Sequence, residues 1–107
     1  MTFAGGDYGE VGRWLDNTVR SHAKRESPRV EVLTDAEGER EGRSYGVRLR
    51  LGERLLPTLP EPAVELSYAE VAQNRGSMAW CAELAGRIRA LARRLLQEER
   101  AARTSAS

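Results

Sequence analysis

Two side chains offer the chemistry of nucleophilic or general acid–base catalysis: His22 is the only histidine and Cys81 the only cysteine of the chain. Ser–His or Cys–His catalysis needs the imidazole beside a nucleophile, with a third group that orients the ring. The sequence has no spacing typical of such a site, for example the glycine-flanked serine of a nucleophile elbow. His22 also falls near the end of a predicted helix, where a positive ring interacts favourably with the helix dipole. We therefore predict a structural role for His22, and we expect that the protein is not an enzyme.

Carboxylates alternate along the polar segment Asp35–Glu41, at positions 35, 37, 39 and 41. This spacing differs from that of a calcium-binding loop, and one histidine with one cysteine cannot supply the four ligands of a structural zinc site. Glycine-rich phosphate-binding motifs are also absent from the sequence. We predict no metal and no cofactor. We interpret the segment as the solvated tip of a hairpin, so shortening Asp35–Gly42 to a tight turn should leave the fold intact.

The charge of the chain is balanced, with 17 basic and 16 acidic residues and a net charge of +1. Nucleic-acid-binding proteins usually carry a clear basic excess, because neutralisation of phosphates drives their affinity. A local excess exists from residue 75 onward, where seven arginines stand against three glutamates. No interleaved aromatic row accompanies them for base stacking. Nucleic-acid association is therefore the alternative interpretation, and its candidate contacts are Arg48, Arg50, Arg87, Arg89, Arg93 and Arg94.

Capping residues and hydrophobic periodicity define the predicted elements. Asp7, Ser67 and Ser77 can each cap a helix, and Pro28 ends the first helix because the residue before a proline leaves the helical region. Alternation of apolar and polar residues indicates strands. The predicted helices cover residues 8–25, 68–74 and 78–103, and the predicted strands cover 29–34, 45–51 and, as a short edge strand, 63–66.

The strand over 45–51 places Tyr45, Val47, Leu49 and Leu51 on one face and two arginines on the other, a pattern typical of an antiparallel sheet that is covered on one side. The predicted fold class is therefore α+β: a small antiparallel sheet of two or three strands with helices on one face, in the order α-β-β-(β)-α-α. We predict a single domain over residues 1–107, with a flexible start over 1–6 and a frayed tail over 104–107.

The composition predicts a cytoplasmic protein. The single cysteine excludes an intrachain disulfide, which suits a reducing compartment. The N-terminal residues have no basic region followed by an apolar one, as a secretory signal would have. No uncharged apolar stretch is long enough to span a membrane.

The helix over 78–103 carries an apolar stripe with the spacing of a helix–helix seam. The helix is ~39 Å long at about 1.5 Å per residue, whereas a strand of typical length spans only ~20 Å. We therefore predict a homodimer in which a second copy covers the far end of the stripe, and packing of the stripe on its own sheet stays open. The candidate dimer-interface residues are Leu84, Ile88, Leu91, Leu95 and Leu96.

The expected function follows from the missing catalytic pattern and from this stripe. We predict a non-enzymatic homodimeric protein-interaction module, such as an adaptor, a chaperone-like protein or a regulatory protein, whose partner the sequence does not identify. Trp14 and Trp80 lie on predicted helices, and we expect them to anchor a helix against the sheet or one chain against another.

Overall fold

A computed structural model describes residues 7–58 and 61–106 of the chain. Its helices are α1 (Tyr8–Glu26), α2 (Tyr68–Asn74) and α3 (Met78–Ala106), and its strands are β1 (Glu31–Asp35), β2 (Ser44–Leu51), β3 (Arg54–Leu56) and β4 (Val64–Ser67). A short 3-10 helix, Gly38–Arg40, lies between β1 and β2. The predicted fold class is confirmed, and the antiparallel sheet has four strands where two or three were expected.

The helix ends follow the predicted capping residues. The Asp7 side chain accepts a hydrogen bond from the Glu10 backbone N–H at 2.7 Å, and Ser67 accepts one from the Glu70 N–H at 3.0 Å. These bonds satisfy donors that the first turn of a helix leaves free. Helix α3 continues to Ala106, so the tail is helical where we expected fraying; residue 107 and the predicted flexible start lie outside the described residues.

Strand β2 is the centre of the sheet. Strand β1 pairs along one edge of β2, from Glu31 opposite Arg50 to Asp35 opposite Gly46. Strands β3 and β4 share the other edge, so they act as one interrupted strand, and every pairing is antiparallel. Strand β1 is therefore an edge strand, and no other strand of the described residues pairs with its outer side.

Strand β3 was not predicted. It has only three residues and lies between a turn at Gly52, whose φ of 63° favours glycine, and Pro57. The proline-rich segment after it is held by Arg48, whose guanidinium donates to the carbonyl oxygens of Pro57 at 2.5 Å and Glu61 at 2.7 Å. Pairing with β2 thus stabilises a strand whose own sequence signal is weak.

Both long helices cover the apolar face of the sheet. Helices α1 and α3 lie side by side, with the rings of Trp14 and Trp80 stacked 6.4 Å apart and Glu26 paired with Arg89 further along. The buried residues of the described chain form one cluster, to which α1 contributes Val11, Leu15, Val19 and Ala23. The prediction compared the length of α3 with that of the strands alone, but helix α1 also covers α3.

The apolar stripe of α3 therefore packs on its own chain. Leu84, Ile88 and Leu95 are buried in the core, with 2%, 0% and 0% of their surface exposed. Leu91 and Leu96 are half-buried against the same core. Three of the five predicted interface residues are therefore covered within the fold, which is the arrangement that the sequence had left open, and the homodimer stays a prediction.

Candidate functional site

The arginines predicted as nucleic-acid contacts are, with one exception, bound to groups of their own chain. Arg48 holds the proline-rich segment, and Arg50 forms an ion pair with Glu31 on the neighbouring strand. Arg94 pairs with Glu98 at 3.1 Å within α3. Arg87 is exposed and forms no ion pair with the described residues.

Glu26 of α1 binds two of these arginines at once. Its carboxylate oxygens lie 2.8 Å from Arg89 Nε and 3.0 Å from Arg93 Nε. These hydrogen bonds, from Arg89 first and then Arg93, hold the pKa of Glu26 below its ordinary value. The basic face of α3 is thus partly neutralised where α3 meets α1, which weakens the case for phosphate binding.

The segment after β1 is packed against the sheet. Arg40 folds back over the outer face and contacts Asp35 of β1 at 2.7 Å and Glu65 of β4 at 3.0 Å. It lies so close to Gly46 that a Cβ at that position would come within 2.6 Å of the guanidinium. The hydrogen bond from Arg40 lowers the pKa of Glu65. One arginine therefore connects three strands across the outer face.

The Tyr8 hydroxyl lies at the inner side of the same segment. It is within hydrogen-bonding distance of three carbonyl oxygens: Ser44 at 2.6 Å, Ala36 at 3.1 Å and Arg40 at 3.1 Å. With one proton to donate, the hydroxyl serves one of these acceptors at a time. Most of Asp35–Gly42 is exposed, as expected of a solvated tip, but Ala36 and Arg40 are half-buried and contact Tyr8 and the sheet.

His22 and Cys81 are not assembled as a catalytic pair. The Nδ1 atom of His22 is buried and has no hydrogen-bond partner among the described residues. Burial lowers the pKa of His22, and Arg25 and Arg89 lower it further. The Cys81 thiol instead donates to the Arg75 carbonyl oxygen at 3.5 Å.

Two further findings concern metals and membranes. Within the described ranges, no three or more His, Cys, Asp or Glu side chains form a group that could hold a metal ion. None of the described helices combines the length and apolar character needed to cross a bilayer.

Two adjoining cavities form a groove between α1 and the free edge of β1, named here the β1–α1 groove. The first cavity, of about 360 Å³, is lined by Tyr8, Gly9, Gly12, Arg13, Asp16, Asn17, Thr34, Ala36 and Tyr45. The second, of about 590 Å³, is lined by Asp16, Arg20 and residues 32–37. Both cavities contact Asp16, Thr34 and Ala36, so they adjoin along β1, on either side of the hydrogen bond between Thr34 and Asp16.

Two glycines and two tyrosines shape the first cavity. The rings of Tyr8 and Tyr45 stack with centroids 4.7 Å apart and an interplanar angle of 8°, and the Tyr45 hydroxyl donates to the Tyr8 carbonyl oxygen at 2.7 Å. Gly12 lets α1 approach this stack, since a Cβ there would lie 2.9 Å from Tyr45 Cε1. Burial, with the nearby Tyr8 and Tyr68, raises the pKa of Tyr45 to about 12. The cavity therefore has a fixed, uncharged aromatic floor.

The charged groups in the groove differ in how they are paired. Asp16 accepts hydrogen bonds from Arg20 at 2.6 Å and from the Thr34 hydroxyl at 2.9 Å. Asp35 is held by Arg40. Arg13 is exposed at the rim of the first cavity and forms no ion pair with residues 7–58 or 61–106. It is a cation available to an incoming group.

The backbone of β1 offers further unpaired groups. In an edge strand, every second residue directs its amide and carbonyl away from the neighbouring strand. Leu33 of β1 is 38% exposed on the outer face, and with Met78 it is one of two exposed large apolar residues in the described part of the chain. The groove thus joins a free strand edge to apolar surface on both faces of β1.

Sequence reasoning missed this groove and did not single out Arg13. The available signal was the pair of glycines, Gly9 and Gly12, inside a predicted helix, because an interior glycine lowers helix stability and so calls for a packing reason.

Comparisons of the chain with protein-family models, curated proteins and solved structures gave no match.

Proposed function

We propose that the protein is a non-catalytic protein-interaction module that binds an extended segment of a partner protein in the β1–α1 groove. The observation that carries this proposal is the free edge of β1 beside an open groove against α1. An extended peptide fits such a place because it can add to the sheet as a further strand.

Recognition in this arrangement has two parts. The peptide backbone pairs with the outward amides and carbonyls of β1, and this pairing supplies affinity that does not depend on sequence. The peptide side chains alternate, so one set faces α1 and the other lies beside Leu33 on the outer face. Selectivity then depends on the cavities between β1 and α1.

The other functional expectations stay predictions. A homodimer through α3 has only Leu91 and Leu96 of the predicted interface residues left partly accessible, since the other three are buried in the same chain. Nucleic-acid association is less favoured, because five of its six candidate arginines bind groups of their own chain. The cytoplasmic location has no further support.

Selection from a random-peptide phage library tests the proposal. A selected peptide is synthesised in two forms, N-methylated at one or the other set of alternate residues, which removes hydrogen-bond donors without altering the protein. One form should bind about fivefold more weakly for each bond that is lost, at ~1 kcal/mol per bond, and the other form should bind with nearly unchanged affinity. Equal effects of the two forms, or failure to select any peptide, would contradict strand addition.

A further inference from the structure

We infer that the β1–α1 groove selects a segment that places a large apolar side chain in the first cavity and a carboxylate beside Arg13. This inference rests on the proposed strand addition and names the chemistry of its ligand. It uses the shape of the first cavity, the register that β1 imposes on an added strand, and the distribution of charge along the groove.

The first cavity suits an apolar side chain. Its floor consists of the stacked Tyr8 and Tyr45 rings, and one wall is the bare backbone of α1 at Gly9 and Gly12. Its volume of about 360 Å³ lies at the lower end of the range of ligand pockets. A side chain that fills it leaves water and gains contact with aromatic carbon, as in a protein core.

The register of an added strand directs a side chain to this cavity. Thr34 and Ala36 line the first cavity, and Val32 lies two residues further back on the same face of β1. A strand that pairs with this part of β1 turns every second side chain toward α1. The next side chain on that face lies about 7 Å away, at about 3.3 Å per residue, within reach of the long Arg13 side chain.

The charges of the groove differ between its two ends. Arg13 lies at the first cavity without an ion-pair partner in the described residues, and Asp16 does not compete for it because it is bound to Arg20 and Thr34. In the second cavity, Arg20 is paired with Asp16 and Asp35 with Arg40, so Glu37 is its charged residue without an ion-pair partner in the described residues. A peptide carboxylate is therefore placed at the Arg13 end, where a guanidinium can bind it with two hydrogen bonds.

Matched variants of the protein test the two parts of this inference. Gly9 has room for a side chain, since a Cβ there would lie 3.6 Å from Asp7 Oδ1 and 3.8 Å from Arg13 Nη1, in ordinary contact. G9L fills the first cavity and should lower the affinity for a selected peptide by about tenfold or more. The control is G86L, at a helical glycine whose Cβ would meet nothing within 4 Å, and it should leave binding unchanged.

The proposed ion pair with Arg13 is tested by reversing the charge on the protein and then on the peptide. R13E should weaken binding of the peptide. A peptide with lysine in place of its acidic residue should bind R13E better than it binds the unaltered protein. R87E, at an exposed arginine of α3, is the control and should not change binding. Replacing the apolar peptide residue by alanine gives the same information on the cavity with the unaltered protein, so the inference stays testable even if G9L fails to fold.

The outcomes separate this inference from the proposed function. If N-methylation shows strand addition but the selected peptides share no apolar or acidic position, the inference is wrong and the proposed function stands. The same holds if G9L and R13E bind like their controls. If no peptide is selected, both fail.

Discussion

The outer face of the sheet and the β1–α1 groove both border β1, but they differ in how their polar groups are satisfied. On the outer face, Arg50 pairs with Glu31, Arg48 binds two carbonyl oxygens, and Arg40 spans Asp35 and Glu65. In the groove, Arg13 and one edge of the β1 backbone have no partner among the described residues. Arginine density alone is therefore a poor guide to a binding surface, because paired charges must first be separated before they bind anything else.

The basic helix α3 resembles the outer face in this respect. Glu26 neutralises Arg89 and Arg93, and Glu99 binds both Arg29 at 2.8 Å and Arg103 at 3.5 Å. The pKa of Glu99 is lowered, chiefly by its hydrogen bond with Arg29. Exposed ion pairs of this kind add little stability individually, but they reduce the charge available to a polyanion.

The largest expected effect concerns the apolar stripe of α3. L95E places a carboxylate at a fully buried position and should lower the free energy of unfolding by about 3 kcal/mol or more, seen in urea denaturation as a large fall or complete loss of the transition. L91E changes a half-buried residue and should be milder. If α3 joined two copies of the chain, the double variant L91E/L95E would instead give a soluble, weakened or monomeric protein. A dimeric unaltered protein together with a folded, monomeric L95E protein, by light scattering, would show that the stripe is an interface, and α3 would then join the groove as a binding surface.

The next effect concerns the floor of the groove. G12A should lower the free energy of unfolding by about 1–3 kcal/mol, because the added Cβ overlaps the buried Tyr45 ring. G86A is the matched control in α3 and should raise the free energy of unfolding by up to about 1 kcal/mol, since alanine favours the helix. If the two variants behave alike in urea denaturation, the close approach of α1 to Tyr45 is not a feature of the folded protein.

A smaller effect is expected from the loop between β1 and β2. Replacing Asp35–Gly42 by a two-residue turn removes the ion pairs of Arg40, while the Tyr8 hydroxyl keeps its bond to the Ser44 carbonyl oxygen, so it should cost about 1 kcal/mol in thermal or urea unfolding. An unchanged melting curve would show that the segment behaves as a solvated tip and that the ion pairs of Arg40 add no stability.

The smallest effect is a dependence of stability on pH. Because burial, Arg25 and Arg89 lower the pKa of His22 below its ordinary 6.5, the unfolded chain binds a proton there more readily than the folded one. The free energy of unfolding should therefore fall as the pH drops below about 6.5, and H22Q should flatten this slope. The pKa of Glu26 is also lowered, so its contribution falls only below about 4.5, which separates the two groups in a pH series. A slope that H22Q leaves unchanged would contradict the lowered pKa of His22.

Most of the fold could be predicted because its signals are local. The caps at Asp7 and Ser67 and the alternation in β2 place α1, α2 and β2 within one residue of their observed bounds. Strand β3 could not be predicted in this way, since it depends on pairing of Leu55 and Leu56 with β2. The cover that α1 gives to α3 is likewise a tertiary contact, which the length of the strands does not reveal.

The groove depends on tertiary relations that no local pattern contains. The sequence shows that β1 is a strand, but not that β2 is central and β1 lies at the edge. The role of Gly12 becomes visible only with Tyr45 beside it, and Arg13 stands out only when the partners of the other arginines are known. Ion pairs between separate elements, such as that of Arg40 with Glu65, can likewise be recognised only when the fold is known.

Hydrogen exchange of the β1 amides, with and without a selected peptide, tests the central claim most directly. In the free protein, the amides of β1 that point away from β2 should exchange quickly, and those that bond to β2 slowly. Strand addition predicts that the peptide slows the outward amides of β1 while the amides of β4, on the opposite edge of the sheet, keep their rates. Protection confined to α3, or no change in β1 at a saturating peptide concentration, would contradict the assignment of the β1–α1 groove as the binding site.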